Sequence, residues 1–233
     1  MNSLASTAVG YVGHKVHIVR RRESAWLLDA LGDVHGKAIV DIAGGDGYWA
    51  AELAKRGAYT VAIDLAEAKL HRGRTLPEPP GLVKGDALRL PFPDHSVDGT
   101  LSICAIEHFP DGKAALAEMA RITRPGGSLA LSADALCAEH RWPTLSEGHR
   151  DRYAVVDTYD EAKLTDLLEA TGFEVQNTEY LFREVWAQGV YMRLHRWKYA
   201  PNALAPLGPV VALSDRRSKS TQGAVLLVQA RRR

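Results

Sequence analysis

The chain has 233 residues, 46% of them apolar and 24% charged, and its 29 Lys and Arg against 28 Asp and Glu leave a formal net charge of +1. This suits one globular domain with a full core and excludes a nucleic-acid binder that works through a strong basic field. Cys104 and Cys137 cannot build a disulfide framework and read as small buried hydrophobes of a reducing compartment; with no signal peptide at Met1–Gly10 and no apolar run of membrane-spanning length, a cytoplasmic location is expected.

In chain order, the spacing of Val16, Val19, Trp26, Leu27 and Leu31 predicts an amphipathic helix before the first strand. Ala38 to Ile42 is a short apolar run suited to a central parallel strand. Gly44, Gly45 and Gly47 then turn the backbone sharply and let a ligand approach without a Cβ in the way. Tyr48 to Arg56 resumes helical spacing. Tyr59 to Ile63 is a second strand ending at Asp64, Leu82 to Lys84 a third before Gly85-Asp86-Ala87, and Val97 to Ser102 a fourth before Ile106-Glu107-His108-Phe109-Pro110-Asp111. Arg124-Pro125-Gly126-Gly127 turns into a fifth strand, Ser128 to Ser132. Residues 133–158 read as a long irregular stretch, and such loops are commonly functional. Tyr159 to Thr171 is a helix that begins at acidic Asp160 and stops at Gly172. Phe173 to Phe182 and Gly223 to Ala230 are the last two strands, separated by an insertion at 183–222.

Two cofactors compete for the first crossover. Gly45-Asp46-Gly47-Tyr48-Trp49-Ala50 fits the permissive dinucleotide fingerprint, and Asp64 stands near the place of a ribose-binding acid. A dinucleotide would set an anionic pyrophosphate on this turn, against Asp41 and Asp46. S-adenosylmethionine carries an ammonium, a sulfonium and a ribose but no phosphate, and suits two acids far better. Asp46 can also simply cap the following helix. Asp64 is placed to accept from both ribose hydroxyls, and Asp86 from the adenine amino group while the Ala87 amide donates to a ring nitrogen.

Five segments together resemble the class I S-adenosylmethionine-dependent methyltransferases, of the group that includes small-molecule and ubiquinone-pathway O-methyltransferases. They are Val40-Asp41-Ile42-Ala43-Gly44-Gly45-Asp46-Gly47, Ala62-Ile63-Asp64, Gly85-Asp86-Ala87, Ile106 to Asp111, and Arg124 to Gly127. The resemblance implies an α/β fold: a doubly wound, Rossmann-like, seven-stranded, mostly parallel sheet with an antiparallel last strand. It implies one domain over residues 1–233, with an N-terminal helical lid at 1–36, a cofactor-binding core at 37–132, an acceptor loop at 133–158 and the insertion at 183–222 covering the acceptor. It assigns the methionine end to Asp41 and the Gly45 backbone, the ribose to Asp64, and the adenine to Asp86 and Ala87, with Ala43, Leu65 and Ser102 completing the cofactor contacts. Ala43 stands where the family has its first glycine; its methyl group is expected to crowd the turn, with Gly44 compensating.

The activity so implied is in-line SN2 transfer of a methyl group to a small-molecule acceptor, a hydroxyl or amine of a secondary metabolite or similar compound. Alternatives are a lipid-linked acceptor, suggested by the basic amphipathic pattern of Val185 to Tyr199, and an S-adenosylmethionine-binding partner subunit without turnover. His108 is the first choice of general base, because the loop after the fourth strand borders the methyl group in this family; His140 and His149 follow. Tyr11, His14, Trp142 and Tyr153 are candidate acceptor contacts. No metal enters this reading, and neither nucleic acid nor stable membrane insertion is expected. The insertion can pack on its own domain or on a second copy, so monomer and homodimer both stay open.

Overall fold

Alternation along the strands builds the two faces of the sheet. In β1 (Ala38–Ile42), Val40 and Ile42 join one core and Ile39 the other; in β5 (Thr123–Asp134), Leu129 and Leu131 oppose Ala130 in the same way. The computed structural model describes residues 18–194 and 203–233. The remaining strands are β2 (Tyr59–Asp64), β3 (Gly81–Lys84), β4 (Val97–Ile103), β6 (Phe173–Leu181) and β7 (Val225–Arg232). They lie in the order β3-β2-β1-β4-β5-β7-β6. The first five pair in parallel, and β7 runs antiparallel to both β5 and β6. This is the expected seven-stranded sheet. The strand order reverses between β1 and β4, and ligands in open α/β sheets bind at such a point, beyond the carboxyl ends of the strands.

Helices α1 (Arg20–Ala30), α2 (Tyr48–Ala54), α3 (Glu67–Gly73), α4 (Gly112–Ile122), α5 (Pro143–Tyr153), α6 (Glu161–Ala170), α7 (Val185–Leu194) and α8 (Gly208–Arg217) follow the chain. On one face, Leu116 and Met119 of α4 and Leu164 and Leu168 of α6 pack on Leu129, Leu131 and Phe173. On the other, Leu27 and Leu28 of α1 and Leu53 of α2 cover Ile39, Leu101 and Ala130. Asp111 and Asp160 cap α4 and α6, accepting from the Ala114 and Lys163 amides at 2.9 Å each.

A third core ties the insertion to the sheet edge, with Ala187, Tyr191 and Met192 of α7 and Val211 of α8 meeting Ile18, Leu181, Phe182, Val225 and Leu227. Its polar rivet is Asp215, 3% exposed, which accepts from the Phe182 amide (3.1 Å), the Arg183 amide (2.8 Å) and Arg22 Nη1 (2.6 Å).

Two expectations need correction. The supposed irregular stretch 133–158 holds the end of β5, a 3-10 turn at Glu139–Arg141 and helix α5. Its helicity was hidden because α5 buries only Ser146 and His149, too little for an apolar stripe; Pro143 at its start is the one conventional signal. The Arg124 to Gly127 turn is absorbed into β5 as a bulge, the ladder to β4 shifting register between Val97 and Gly99 while Gly126 takes φ +77°. In α7, Trp186 is 47% exposed, while Ala187, Gln188, Gly189, Tyr191 and Met192 are buried.

Candidate active site

A cavity of about 450 Å³ opens over the carboxyl ends of the parallel strands, within the size range of small-molecule sites. Each strand delivers its wall through the residues that follow it: Ala43 after β1, Asp64 and Leu65 at the end of β2, Gly85 to Leu88 after β3, and Cys104, Ala105, His108, Phe109 and Pro110 after β4. Arg20 and Lys69 complete it from α1 and α3.

The glycine turn is held by Asp64. Its Oδ2 accepts from the Gly45 amide at 2.9 Å and its Oδ1 from the Ala66 amide at 2.7 Å, and a carboxylate can accept further hydrogen bonds at both oxygens. Lys69 Nζ stands 3.6 Å from Oδ2. Asp46 Oδ1 accepts from the Tyr48 amide at 3.2 Å from one residue before the N-cap of α2, which is Gly47 in the left-handed region.

Ala43 takes φ +56°, a left-handed backbone that costs a side chain with a Cβ. Gly44 does not compensate by adopting that conformation. It is needed for space instead: a Cβ there would lie 2.6 Å from Cγ and Oδ2 of Asp41. Asp41 itself is 1% exposed, and its Oδ2 has no hydrogen-bond partner. Burial, reinforced by Asp46 and Asp64, pushes its carboxyl up to about 8.

Of the cofactor contacts read from the sequence, Ala43, Asp64, Leu65, Asp86 and Ala87 line the cavity. Asp41, Gly45 and Ser102 do not: Asp41 lies under the turn, Gly45 acts through its amide on Asp64, and Ser102, 1% exposed, donates to the Ile42 carbonyl at 3.2 Å. The residues fit a nucleoside cofactor with a cationic methionine end. Asp64 and Asp86 offer acceptors at two successive strand ends, and the unpaired Asp41 oxygen calls for a donor.

The histidines separate. His108 lines the cavity with 36% of its side chain exposed, and burial holds its imidazole below the usual range. His140 is exposed on the 139–141 turn and is not among the residues of the cavity wall. His149 is buried, its Nε2 2.6 Å from Asp134 Oδ2, while Tyr191 donates its hydroxyl to Asp134 Oδ1 at 2.5 Å. Trp142 packs on α7, its ring 5.8 Å from the Arg193 guanidinium, and is not on the wall. Tyr153 is 37% exposed with its ring 5.1 Å from that of His149. Tyr11 and His14 lie outside the described residues.

Sequence reasoning missed a polar assembly behind the β4 side of the cavity. Glu23, fully buried, accepts from Arg20 Nη1 (2.6 Å), Ser132 Oγ (2.5 Å) and Cys104 Sγ (2.9 Å). Cys104 is therefore no mere hydrophobe: it lines the cavity with φ +44°, and burial raises its thiol well above the usual range. Glu107 is 1% exposed with an unpartnered Oε2, and burial beside Asp134 pushes its carboxyl well up. Cys104, Glu107 and Asp134 bring one ligand atom each within 4.8 Å of one another, with Arg20 already against the thiol as a cation. Two signals were available: Glu23 interrupts the buried stripe of α1, and Asp134 ends β5 as Asp64 ends β2.

A glycine turn at the topological switch point, with carboxylates at the next strand ends, defines a nucleoside-binding α/β enzyme. Residues 40–131 match the family described as methyltransferase domain. The demethylmenaquinone methyltransferase of Beutenbergia cavernae is 31% identical over 200 residues, covering 84% of this chain and 79% of that protein. The demethylmenaquinone methyltransferase of Corynebacterium kroppenstedtii is 42% identical over 94 residues, only 40% of either chain. Among solved structures, a geranyl diphosphate methyltransferase in complex with S-adenosylmethionine shares the fold at a TM-score of 0.69 and 16% identity, over 91% of this chain and 85% of its own. The chain belongs to the class I S-adenosylmethionine-dependent methyltransferases. It is a methyltransferase, and S-adenosylmethionine is its cofactor.

Proposed function

We propose that the enzyme methylates a small planar acceptor of the quinol type, bound at the β4 side of the cavity. The observation that carries this reading is the change in the wall. The β2 and β3 ends present the acids Asp64 and Asp86, whereas the β4 side presents Phe109, His108 and Arg20, an aromatic face with a proton acceptor and a guanidinium. The demethylmenaquinone methyltransferase of Beutenbergia cavernae, similar over most of the chain, supports the same acceptor class.

S-adenosylmethionine supplies an activated methyl group on a sulfonium. The chain's task is to align the acceptor behind that methyl group and exclude water, and such alignment can lower a barrier by roughly 7–11 kcal/mol. Asp64 holds the ribose, Asp86 and Ala87 the adenine, and the glycine turn at Ala43, backed from beneath by the buried Asp41, the methionine end. His108, kept neutral near pH 7 by burial, takes the proton of the acceptor hydroxyl. A second reading, a lipid-linked acceptor, is favoured by the exposed Trp186, Leu207, Val210 and Leu213 of the insertion. Among the described residues no helix is long and apolar enough to cross a membrane.

The test is transfer of label from methyl-labelled S-adenosylmethionine to a panel of reduced naphthoquinols, simple phenols and amines, with and without an isoprenoid tail. Quinols and phenols are expected to accept label, and a tail requirement would select the lipid-linked reading. Transfer to amines alone would refute both.

A further inference from the structure

We propose that a second cavity, walled by α1, β6 and α8, binds an amphiphilic phosphate ester, its phosphate on Arg22, Arg183 and Arg216 and its chain on the apolar surface beside them. The proposal is independent of what the active-site cavity methylates.

This cavity holds about 440 Å³ and shares no wall residue with the active-site cavity. Its size suits a small ligand. Regular spacing along three elements builds it. Arg22 and Trp26 stand at i and i+4 on α1, Ala212 and Arg216 at i and i+4 on α8, and Glu179 and Leu181 on one side of β6. Arg183 enters just after β6 ends. Trp26, Leu181 and Ala212 therefore give the wall an apolar part alongside the three guanidinium groups.

Charge decides what fits. The carboxylates of the wall are Asp215 and Glu179. Asp215 is buried and accepts from Arg22 Nη1 at 2.6 Å, which offsets that guanidinium. Arg183 is held by neutral groups, donating from Nε to the Ser220 carbonyl at 2.8 Å and from Nη1 to the Asp215 carbonyl at 3.3 Å. Arg216 is exposed and has neither a hydrogen bond nor an ion pair among the described residues. Glu179 is exposed on β6, where solvent and salt screen it. Arg183 and Arg216 thus carry two positive charges that a phosphate monoester, close to doubly ionised at neutral pH, matches in sign and number. A guanidinium also fits phosphate oxygens with two parallel donors.

The place of the chain follows from α8. That helix buries Val211 and Asp215 on one side and exposes Leu213 on the other, with exposed Val210 and Leu207 close by. Leu213 stands one turn before Arg216, so apolar surface begins where the phosphate site ends. An alkyl chain leaving the phosphate covers that outer face.

The ester is either a soluble alkyl phosphate or the headgroup of a membrane lipid, and the test separates them. The probes are octyl phosphate, octanol and inorganic phosphate, titrated calorimetrically into the enzyme with and without saturating S-adenosylhomocysteine. Octyl phosphate is expected to bind one per chain, more tightly than either other probe and equally well to both forms. Arg216→Glu should weaken it by roughly 10–150-fold, the range for hydrogen bonds to a charged group, and leave the S-adenosylmethionine Kd unchanged. Arg216→Lys keeps the charge and should recover part of the loss, and unfolding midpoints equal to wild type exclude a folding defect. Vesicles of phosphatidylcholine, with and without phosphatidic acid, then identify the source. Sedimentation with the phosphatidic acid vesicles alone, lost in Leu213→Asp, assigns a lipid headgroup; octyl phosphate binding without sedimentation assigns a soluble ester. Unchanged binding of octyl phosphate in Arg216→Glu overturns the proposal. So does an affinity no greater than that of inorganic phosphate, or displacement by S-adenosylhomocysteine, which would put the probe in the active-site cavity.

Discussion

Replacing Ala43 with glycine should stabilise the protein, an unusual direction for a change at a cofactor turn. Ala43 holds φ +56° with its methyl group partly exposed on the cavity wall. A left-handed backbone costs an L-residue about 1–2 kcal/mol. Glycine removes that strain but adds roughly 0.5–1 kcal/mol of entropy to be lost on folding, and deleting a partly buried methyl group loses only part of about 0.8 kcal/mol. The balance favours Ala43→Gly by about 0.5 kcal/mol, a Tm rise of ~1–2 °C for a chain of this size. The matched variant Ala43→Val places a β-branched side chain in the same backbone and should lose more than about 1 kcal/mol. Urea unfolding of the three proteins without cofactor, with common m-values, reads the order Gly, Ala, Val. A glycine variant less stable than wild type by more than about 1 kcal/mol would mean that the Ala43 methyl group is a packing element and the turn is not strained.

Two further outcomes follow from buried carboxylates. Asp41 titrates near 8 in the fold against 3.8 unfolded, so the folded state binds the extra proton between those values. Its contribution to stability is full below about 3.8 and is lost as the pH rises to about 8, with a slope of at most ~1.4 kcal/mol per pH unit. Unfolding of the cofactor-free enzyme from pH 5 to 8 should show that decline, Asp41→Asn should flatten it, and parallel slopes in the two proteins would refute the assignment. Asp215→Ala strands the Phe182 and Arg183 amides and Arg22, and breaking a buried pair costs about 3–5 kcal/mol. A loss below about 1 kcal/mol in urea unfolding would show that the insertion is not pinned there.

The sheet was legible because each strand is a short apolar run with its own punctuation: glycines after Ile42, Asp64 after Ile63, Gly85-Asp86 after Lys84. Position at a strand end is enough to place Asp64 and Asp86 on the cavity wall, since all parallel strands point the same way. Asp41 sits one residue inside the end of β1, in register with Ala62 and not with Asp64, and Gly44 leaves room for its carboxylate beneath the turn. Helix α5 was illegible for want of an apolar stripe, and with it the approach of His149 to Asp134, residues joined only when the helix folds back over β5. The Arg20–Glu23 pair was hidden for a related reason. An i,i+3 ion pair on an amphipathic helix normally faces solvent, and only the packing of α1 over β5 and β7 turns Glu23 inward onto Ser132.

The account depends on Asp64 holding the ribose of S-adenosylmethionine, and calorimetric titration of that cofactor into wild type, Asp64→Asn and Asp64→Ala addresses it directly. Loss of the charged acceptor should cost about 1.5–3 kcal/mol in Asp64→Ala, roughly 10–150-fold in Kd, with Asp64→Asn between, in proteins whose unfolding midpoints show them folded. Wild-type affinity in a folded Asp64→Ala protein would place the nucleoside elsewhere and contradict the site described above.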